Sequence, residues 1–139
     1  MILLLGLLAC GGGEAPPLKE AAVAAAPVVG APSELLTRAG RYRIVWSTAP
    51  VPLPLSELFV IKARVTDADG APVSGVTLTV DASMPQHGHG MATRPETNEV
   101  GPGEFETKGM KFHMPGAWTV HFAVSGPRGT DRVDVVVEA

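Results

Sequence analysis

Apolar residues occupy every second position in several short segments of this chain. Residues 117–124 place Trp118, Val120 and Phe122 on one side, with more polar residues between them. Successive side chains of a strand point to opposite faces, so this alternation predicts β-strands that each bury one face. The 16 glycines and 13 prolines are spread along the chain, which favours many turns and little helix. An all-β domain is therefore the predicted fold class.

The same alternation recurs between Arg41 and Glu138. Besides residues 117–124, the segments that show it are 41–47, 57–66, 75–80, 103–112 and 131–138. Residues 67–70 are turn formers and predict a hairpin between the segments on either side. Gly109 interrupts a strand pattern and predicts a bulge, whereas residues 93–102 predict a loop. Six or seven antiparallel strands of this length predict an immunoglobulin-like β-sandwich, with a small barrel as the alternative.

The first ten residues form an apolar run that ends in Cys10, the only cysteine of the chain. Such a run is far below the ~20 residues that cross a bilayer. Leu7-Leu8-Ala9-Cys10 resembles the lipobox of bacterial lipoproteins, in which the cysteine is lipidated and becomes the mature N-terminus. An ordinary signal peptide with an incidental cysteine is the alternative. A single cysteine also rules out an intrachain disulfide.

Residues 11–40 are rich in Ala, Pro and Gly, and they predict a tether ahead of a folded domain at 41–139. Residues 34–38 are either the end of that tether or a first element lying on the domain. We therefore expect an extracytoplasmic protein of the bacterial cell envelope, held to a membrane through lipid on Cys10. Gly11 rather than Asp follows the cysteine, which resembles lipoproteins sent to the outer membrane where one exists.

Metal-donor side chains are concentrated in two stretches of the predicted domain. Residues 81–91 place His87, His89 and Met91 at alternate positions separated by glycines. In an extended segment all three would face one point. Residues 110–114 (Met-Lys-Phe-His-Met) form the second stretch. A sandwich gathers its loops at two ends, so a loop after one strand can meet the end of another.

The chemistry of these donors favours copper. Thioether sulfur is a soft ligand that suits Cu(I) and imidazole suits Cu(II), whereas zinc rarely needs methionine. The candidate ligands are Met84, His87, His89, Met91, Met110, His113 and Met114. The histidines and the last methionine of the first stretch are the first choice. Met84 continues the inward face of its strand and fits a core residue equally well, while His113 and Met114 fall on opposite strand faces and are not assigned as a pair.

Each stretch also has a structural interpretation. A Gly-rich loop with two histidines can be a solvated turn, and methionines near a strand end often fill gaps in a core. His121 alternates onto the outward face of its strand and is predicted to be a surface residue. Trp118 is predicted to be core, where its ring can shield a soft cation.

The second stretch and the strand after it carry a family resemblance. Residues 110–124 read Met-Lys-Phe-His-Met-Pro-Gly-Ala-Trp-Thr-Val-His-Phe-Ala-Val. They resemble the YtkA-like domain family and, more distantly, the FixH-like proteins, and the similarity covers roughly 41–138. The resemblance implies a β-sandwich displayed outside the cytoplasmic membrane. FixH-like relatives are linked to copper supply for respiratory oxidases, and the apparent lipid anchor here replaces their membrane helix.

Composition and motifs exclude other classes of function. The chain has a net charge of −3 and no basic patch, so a nucleic-acid partner is not expected. No serine or threonine has a recognisable nucleophile setting and no phosphate-binding glycine motif is present, so an enzyme is not predicted. The expected function is copper binding, as a chaperone or delivery module that exchanges copper with another envelope protein. The alternative is a metal-free interaction or structural domain of the envelope.

Overall fold

The structure, a computed structural model, describes residues 31–139 as β-strands joined by turns. The strands are β1 (Ser33–Leu36), β2 (Tyr42–Ala49), β3 (Phe59–Asp67), β4 (Thr77–Met84), β5 (His89–Gly90), β6 (Glu96–Gly101), β7 (Glu104–Met110), β8 (Ala117–Gly126) and β9 (Gly129–Glu138). A 3-10 turn, Pro85–His87, separates β4 from β5. Within the described residues, no helix is long and apolar enough to cross a bilayer. The fold is all-β, as predicted.

The strands form two antiparallel sheets whose inner faces make the core. The first sheet has the order β1-β2-β3-β7-β6 and the second the order β5-β4-β8-β9. Burial alternates residue by residue along β2 and β8, because each strand turns one face inward. Trp46 of the first sheet meets Phe122 of the second with ring centroids 5.4 Å apart. The predicted β-sandwich is confirmed.

The predicted hairpin across residues 67–70 is wrong. β3 pairs with β2 and β7, whereas β4 lies in the other sheet and pairs with β5 and β8. The turn itself forms, since the Asp67 carboxylate accepts hydrogen bonds from the backbone N–H groups of Asp69 and Ala71. The chain then crosses to the second sheet. Two strands that each have one apolar face bury those faces against each other when they lie in stacked sheets.

Three short strands lie outside the segments that alternation predicted. β6 occupies part of the predicted loop 93–102 and buries none of its residues, so it has no apolar face to produce a period-two signal. β5 has only two residues. β1 pairs along its whole length with β2, which makes residues 33–36 part of the sheet, ahead of the expected domain start at 41.

Gly109 lies at an irregularity of β7. Its φ is +81°, and the register between β3 and β7 shifts between Phe59 and Ile61. A Cβ at this position would lie 3.0 Å from the carbonyl oxygen of Arg94, so both the conformation and the space favour glycine. The predicted bulge is confirmed, and it leads β7 into the second donor stretch.

One end of the sandwich gathers the loops 50–58, 85–88 and 111–116. β3 starts with Phe59 opposite Met110, the last residue of β7, and β4 ends at Met84. The backbone N–H of Ser56 donates to the Phe112 carbonyl at 2.8 Å, and the Ser56 hydroxyl donates to the His113 carbonyl at 3.3 Å. These bonds tie two of the loops together. We call this the donor end, because it carries both donor stretches.

Candidate metal centre

The first donor stretch folds as a tight turn rather than as an extended segment. His87 closes the 3-10 turn, and Gly88 adopts a left-handed conformation with φ of +66°, which glycine tolerates without strain. His89 and Gly90 then run along β4. The expectation that an extended backbone aligns the donors is therefore wrong for His87. The turn nevertheless places its ring centroid 5.8 Å from that of His89.

His89 lies over the core at the donor end. It is directly opposite Met84 across the β4–β5 pair, and opposite residues of an antiparallel pair have side chains on the same face. Met84 is buried, so the side chain of His89 leaves the backbone on the inner face of the sheet. The His89 ring centroid lies 6.1 Å from that of Trp118. The His89 Nδ1 is 3.0 Å from the Gly90 carbonyl oxygen. A hydrogen bond there places the proton on Nδ1 and leaves the Nε2 lone pair for a ligand.

His113 approaches from the second donor stretch. Its ring centroid is 5.2 Å from that of His89 and 5.3 Å from that of Trp118. Its Nδ1 is shielded from solvent and has no hydrogen-bond partner among the described residues. A buried polar atom without a partner costs about 1–3 kcal/mol. A ligand bound at this nitrogen would remove that cost.

Trp118 forms the floor beneath these histidines. It is completely buried and stacks on Phe112, with ring centroids 4.7 Å apart and 10° between the ring planes. Its Nε1 donates a hydrogen bond to the Met114 carbonyl at 3.0 Å. The predicted core position is confirmed. The indole lies beside the rings of His89 and His113 and is hydrogen-bonded to the loop that carries His113.

The four candidate methionines divide into two pairs. Met84 and Met110 are 1% and 0% exposed and belong to the hydrophobic core. The Met84 methyl lies 3.0 Å from where a Cβ on Gly116 would stand, so Met84 packs beneath that turn. Met91 and Met114 are partly buried against the core. The backbone N–H of Lys111 donates to the Met91 sulfur at 3.5 Å, which places this sulfur beside the second donor stretch.

The ring separations can be compared with those of a metal site. Imidazole nitrogens bind a metal at ~2.0 Å, so two rings sharing one ion have centroids about 4–6 Å apart for coordination angles from 90° to 180°. The His87–His89 and His89–His113 separations of 5.8 and 5.2 Å fall in this range. Within residues 31–139, however, no three His, Cys, Asp or Glu side chains are grouped to hold a metal ion. A closed site built from this end therefore needs a methionine sulfur as well as imidazole.

His121 belongs to a network on the outer face of the second sheet. Its Nε2 lies 2.8 Å from the Ser83 hydroxyl and its Nδ1 lies 2.8 Å from an Asp134 carboxylate oxygen. Asp134 also forms an ion pair with Arg38. The outward position was predicted, but these partners were not, because they come from strand register. Both ring nitrogens are engaged, so His121 is not available as a ligand at the donor end.

The electrostatics of this network keep Asp134 ionised. Partial burial acts to raise the pKa of Asp134, but the hydrogen bond from His121 and the positive charges of His121, Arg38 and Arg132 outweigh it. The pKa therefore lies below the ordinary value of 3.8. The ionised carboxylate accepts a hydrogen bond from the Nδ1–H of His121, and when His121 is neutral its Nε2 accepts a hydrogen bond from the Ser83 hydroxyl.

The fold and this end of it define a class: an antiparallel β-sandwich that concentrates imidazole and thioether donors in the loops at one end. The YtkA-like family model matches residues 37–123, and the chain belongs to that family. The match runs from the β1–β2 turn into β8 and includes both donor stretches. The resemblance to the YtkA-like family predicted from residues 110–124 is thereby confirmed. A comparison with curated proteins found no match.

Proposed function

We propose that this protein is an extracytoplasmic, lipid-anchored copper-binding protein that holds one copper ion at the donor end. The observation that supports it most directly is the position of the His89 ring between the rings of His87 and His113, at centroid separations of 5.8 and 5.2 Å. Both separations suit imidazoles that share an ion. A mixed set of imidazole and thioether donors suits copper in either common oxidation state.

The histidines and methionines would have different roles. His89 and His113 are the central ligands, because one has a free Nε2 lone pair and the other a buried, unpartnered Nδ1 among the described residues. His87 is exposed and would receive copper from solution or from a copper-donating envelope protein. Met91 or Met114 would supply sulfur. Met84 and Met110, both buried in the core, would shape the wall of the site.

Competition titration with copper chelators tests the imidazole ligands. His89→Ala combined with His113→Ala should weaken Cu(II) binding by on the order of 100-fold or more, since removal of groups that merely orient a ligand already costs 10–100-fold. His121→Ala is the matched control and should leave the affinity unchanged, because its ring lies on the outer sheet face. Unchanged affinity in the double variant would refute this ligand assignment. Wild-type protein that binds no copper would leave the metal-free interaction domain as the function.

The sulfur ligand is tested with volume-conserving substitutions. Met91→Leu or Met114→Leu should weaken Cu(I) binding and remove a copper–sulfur scattering path from the X-ray absorption spectrum. Met110→Leu is the control, since that side chain is completely buried and the exchange conserves its volume. Loss of the sulfur path only in the Met110 variant would contradict the assignment.

The proposed anchor is tested separately from copper. Cys10 lies outside the described residues, so its role rests on the lipobox pattern Leu7-Leu8-Ala9-Cys10. Cys10→Ala should abolish labelling by a lipid precursor and leave unprocessed protein. Normal processing and membrane partitioning of that variant would exclude lipidation, whatever the copper result.

We propose a binding role rather than a catalytic one. The hydrogen-bonded row Ser83–His121–Asp134 is accordingly proposed to be structural. That row has the connectivity of a nucleophile, a base and an orienting acid. However, Ser83 pairs with Gly90 on one side and Thr119 on the other, so its own N–H points into a strand ladder and is not free to stabilise an oxyanion. Wild-type turnover of activated esters that Ser83→Ala abolishes would overturn this proposal.

A further inference from the structure

The loop between β2 and β3, residues 50–58, exposes an apolar surface at the donor end. Val51, Leu55 and Leu58 are 61%, 45% and 64% exposed. They account for three of the six large hydrophobic side chains exposed within residues 31–139. The other three are Leu36, Val100 and Val136, which lie on separate strands. Single exposed apolar side chains are ordinary, but a cluster in one loop marks a contact surface.

This apolar loop is fixed in position. Leu53 packs against the core, and Ser56 is bonded through its backbone and its hydroxyl to the carbonyls of Phe112 and His113. Leu53 is partly buried, and Ser56 is exposed but is held by its two hydrogen bonds. The side chains of Val51, Leu55 and Leu58 are exposed. The contact surface is therefore presented beside the second donor stretch without the ordering cost that a flexible loop would incur.

The loop is also suited to enter a medium of low polarity. Backbone N–H groups without a partner are costly in lipid, and Pro50, Pro52 and Pro54 have none. The N–H of Ser56 is already bonded to a carbonyl. Glu57 is the one charged residue in the segment 50–58. The three prolines and the bonded Ser56 reduce the backbone donors that must leave water from nine to five, and Glu57 is the one charge that must stay outside the lipid.

The path of the chain places the donor end toward the N-terminal segment. β1 is antiparallel to β2, and Ser33 pairs with Trp46, three residues before β2 ends at Ala49. The chain therefore enters β1 close to the donor end. Ser33 lies 23 positions after Cys10, and a chain of that length spans at most about 80 Å. Lipid on Cys10 would connect to the sandwich from the end that carries the apolar loop.

We propose that residues 50–58 dock onto the surface of a lipid bilayer, with the side chains of Val51, Leu55 and Leu58 at the boundary between headgroups and acyl chains. The donor end then faces the membrane, so copper exchange takes place at the bilayer surface. The proposal rests on the proposed lipid anchor to bring the domain to the membrane. The contact between loop and lipid can be measured without that anchor.

The test is flotation of the full chain carrying Cys10→Ser with vesicles of phosphatidylethanolamine and phosphatidylglycerol. We expect the protein to float with the vesicles, and Val51→Ser, Leu55→Ser and Leu58→Ser together to lower its partition coefficient at least tenfold. The matched control replaces Leu36, Val100 and Val136 with serine. It exchanges the same number of similarly exposed side chains and should float as before. Thermal unfolding of both triple variants verifies that each is folded.

A second measurement locates the loop directly. In the Cys10→Ser chain a Leu55→Cys substitution provides one cysteine for an environment-sensitive dye, whose emission should shift to the blue with vesicles, while dye at Val100→Cys should not respond. Absence of flotation, equal flotation of the loop variant, or equal dye response at both positions would overturn the proposal. An apolar loop that contacts a protein instead would give the first of these results. Copper affinity of the loop variant should equal that of the wild type, so failure here is distinguishable from failure of the copper site.

Discussion

Replacement of Asp131 by asparagine should destabilise the protein at neutral pH. Asp131 faces inward on β9 opposite Val124 and is only 7% exposed. Its carboxylate accepts backbone hydrogen bonds from Ala39 at 3.0 Å, from Arg41 at 3.3 Å and from Arg132 at 2.8 Å. The side chain thus joins the β1–β2 turn to the start of β9. An amide offers one oxygen in place of two and brings its own donors against these N–H groups.

The magnitude follows from the pKa of Asp131. Burial by itself raises that pKa, but hydrogen bonds from Thr37 and from the three backbone N–H groups outweigh it and lower the pKa from 3.8 to about 2. Each pKa unit corresponds to ~1.4 kcal/mol, so ionised Asp131 contributes about 2 kcal/mol to the free energy of unfolding. Because the folded-state pKa is lowered, this contribution is complete above pH ~4 and fades as the pH falls through ~2.

Urea unfolding of wild type and Asp131→Asn over that pH range is the assay. The difference in unfolding free energy should be about 2 kcal/mol at neutral pH and should shrink toward zero in acid. Asp69→Asn, at an exposed turn position, serves as the control and should differ little from wild type. A neutral-pH difference near zero, or one that persists undiminished at pH ~2, would refute the reasoning.

Three further changes probe the sandwich by equilibrium unfolding. A chain that lacks residues 1–36 should unfold at lower urea concentration than one that lacks residues 1–30, because only the first loses the four pairs that β1 makes with β2; equal midpoints would mean that β1 adds nothing. Gly126→Ala should cost about 1–3 kcal/mol through overpacking, since its Cβ would stand 2.5 Å from a Val76 methyl, and a neutral effect would contradict this packing. Tyr42→Phe should cost about 1 kcal/mol, as the buried hydroxyl donates to the Gly129 carbonyl at 2.8 Å; wild-type stability would show that the bond is dispensable.

Alternation predicted the strands with one buried face and missed the others for a physical reason. Alternation identified β2, β3 and β8 because buried and more exposed side chains alternate along them. β6 is an edge strand that buries nothing, so its sequence carries no such signal. The alternation of apolar and polar residues shows which face of a strand is buried but not which strand pairs with it. For that reason the turn at 67–70 was predicted to be a hairpin.

The candidate site was predictable in location and not in geometry. Loops collect at the ends of a sandwich, so the approach of His89 to His113 followed from the topology. The left-handed Gly88 replaced the predicted extended path with a turn, and this sets the angle between the His87 and His89 rings. The bonds of His121 to Ser83 and Asp134 join residues 38 and 13 positions away along the chain. The register that brings these residues together depends on the pairing of whole strands, so no short sequence motif indicates it.

β9 is ten residues long and, within the described part of the chain, pairs with β8 on one side only. A long strand with a free edge is a template for addition of a strand from another copy, and so a starting point for aggregation. The β1–β2 turn covers the beginning of this edge, since the backbone N–H of Arg38 donates to the Arg132 carbonyl at 2.9 Å. Beyond that point the strand carries Asp134 and Glu138. In a register centred on Val136, a second copy of β9 added antiparallel would place Asp134 opposite Glu138, and this pairing of like charges opposes self-assembly along the edge that remains.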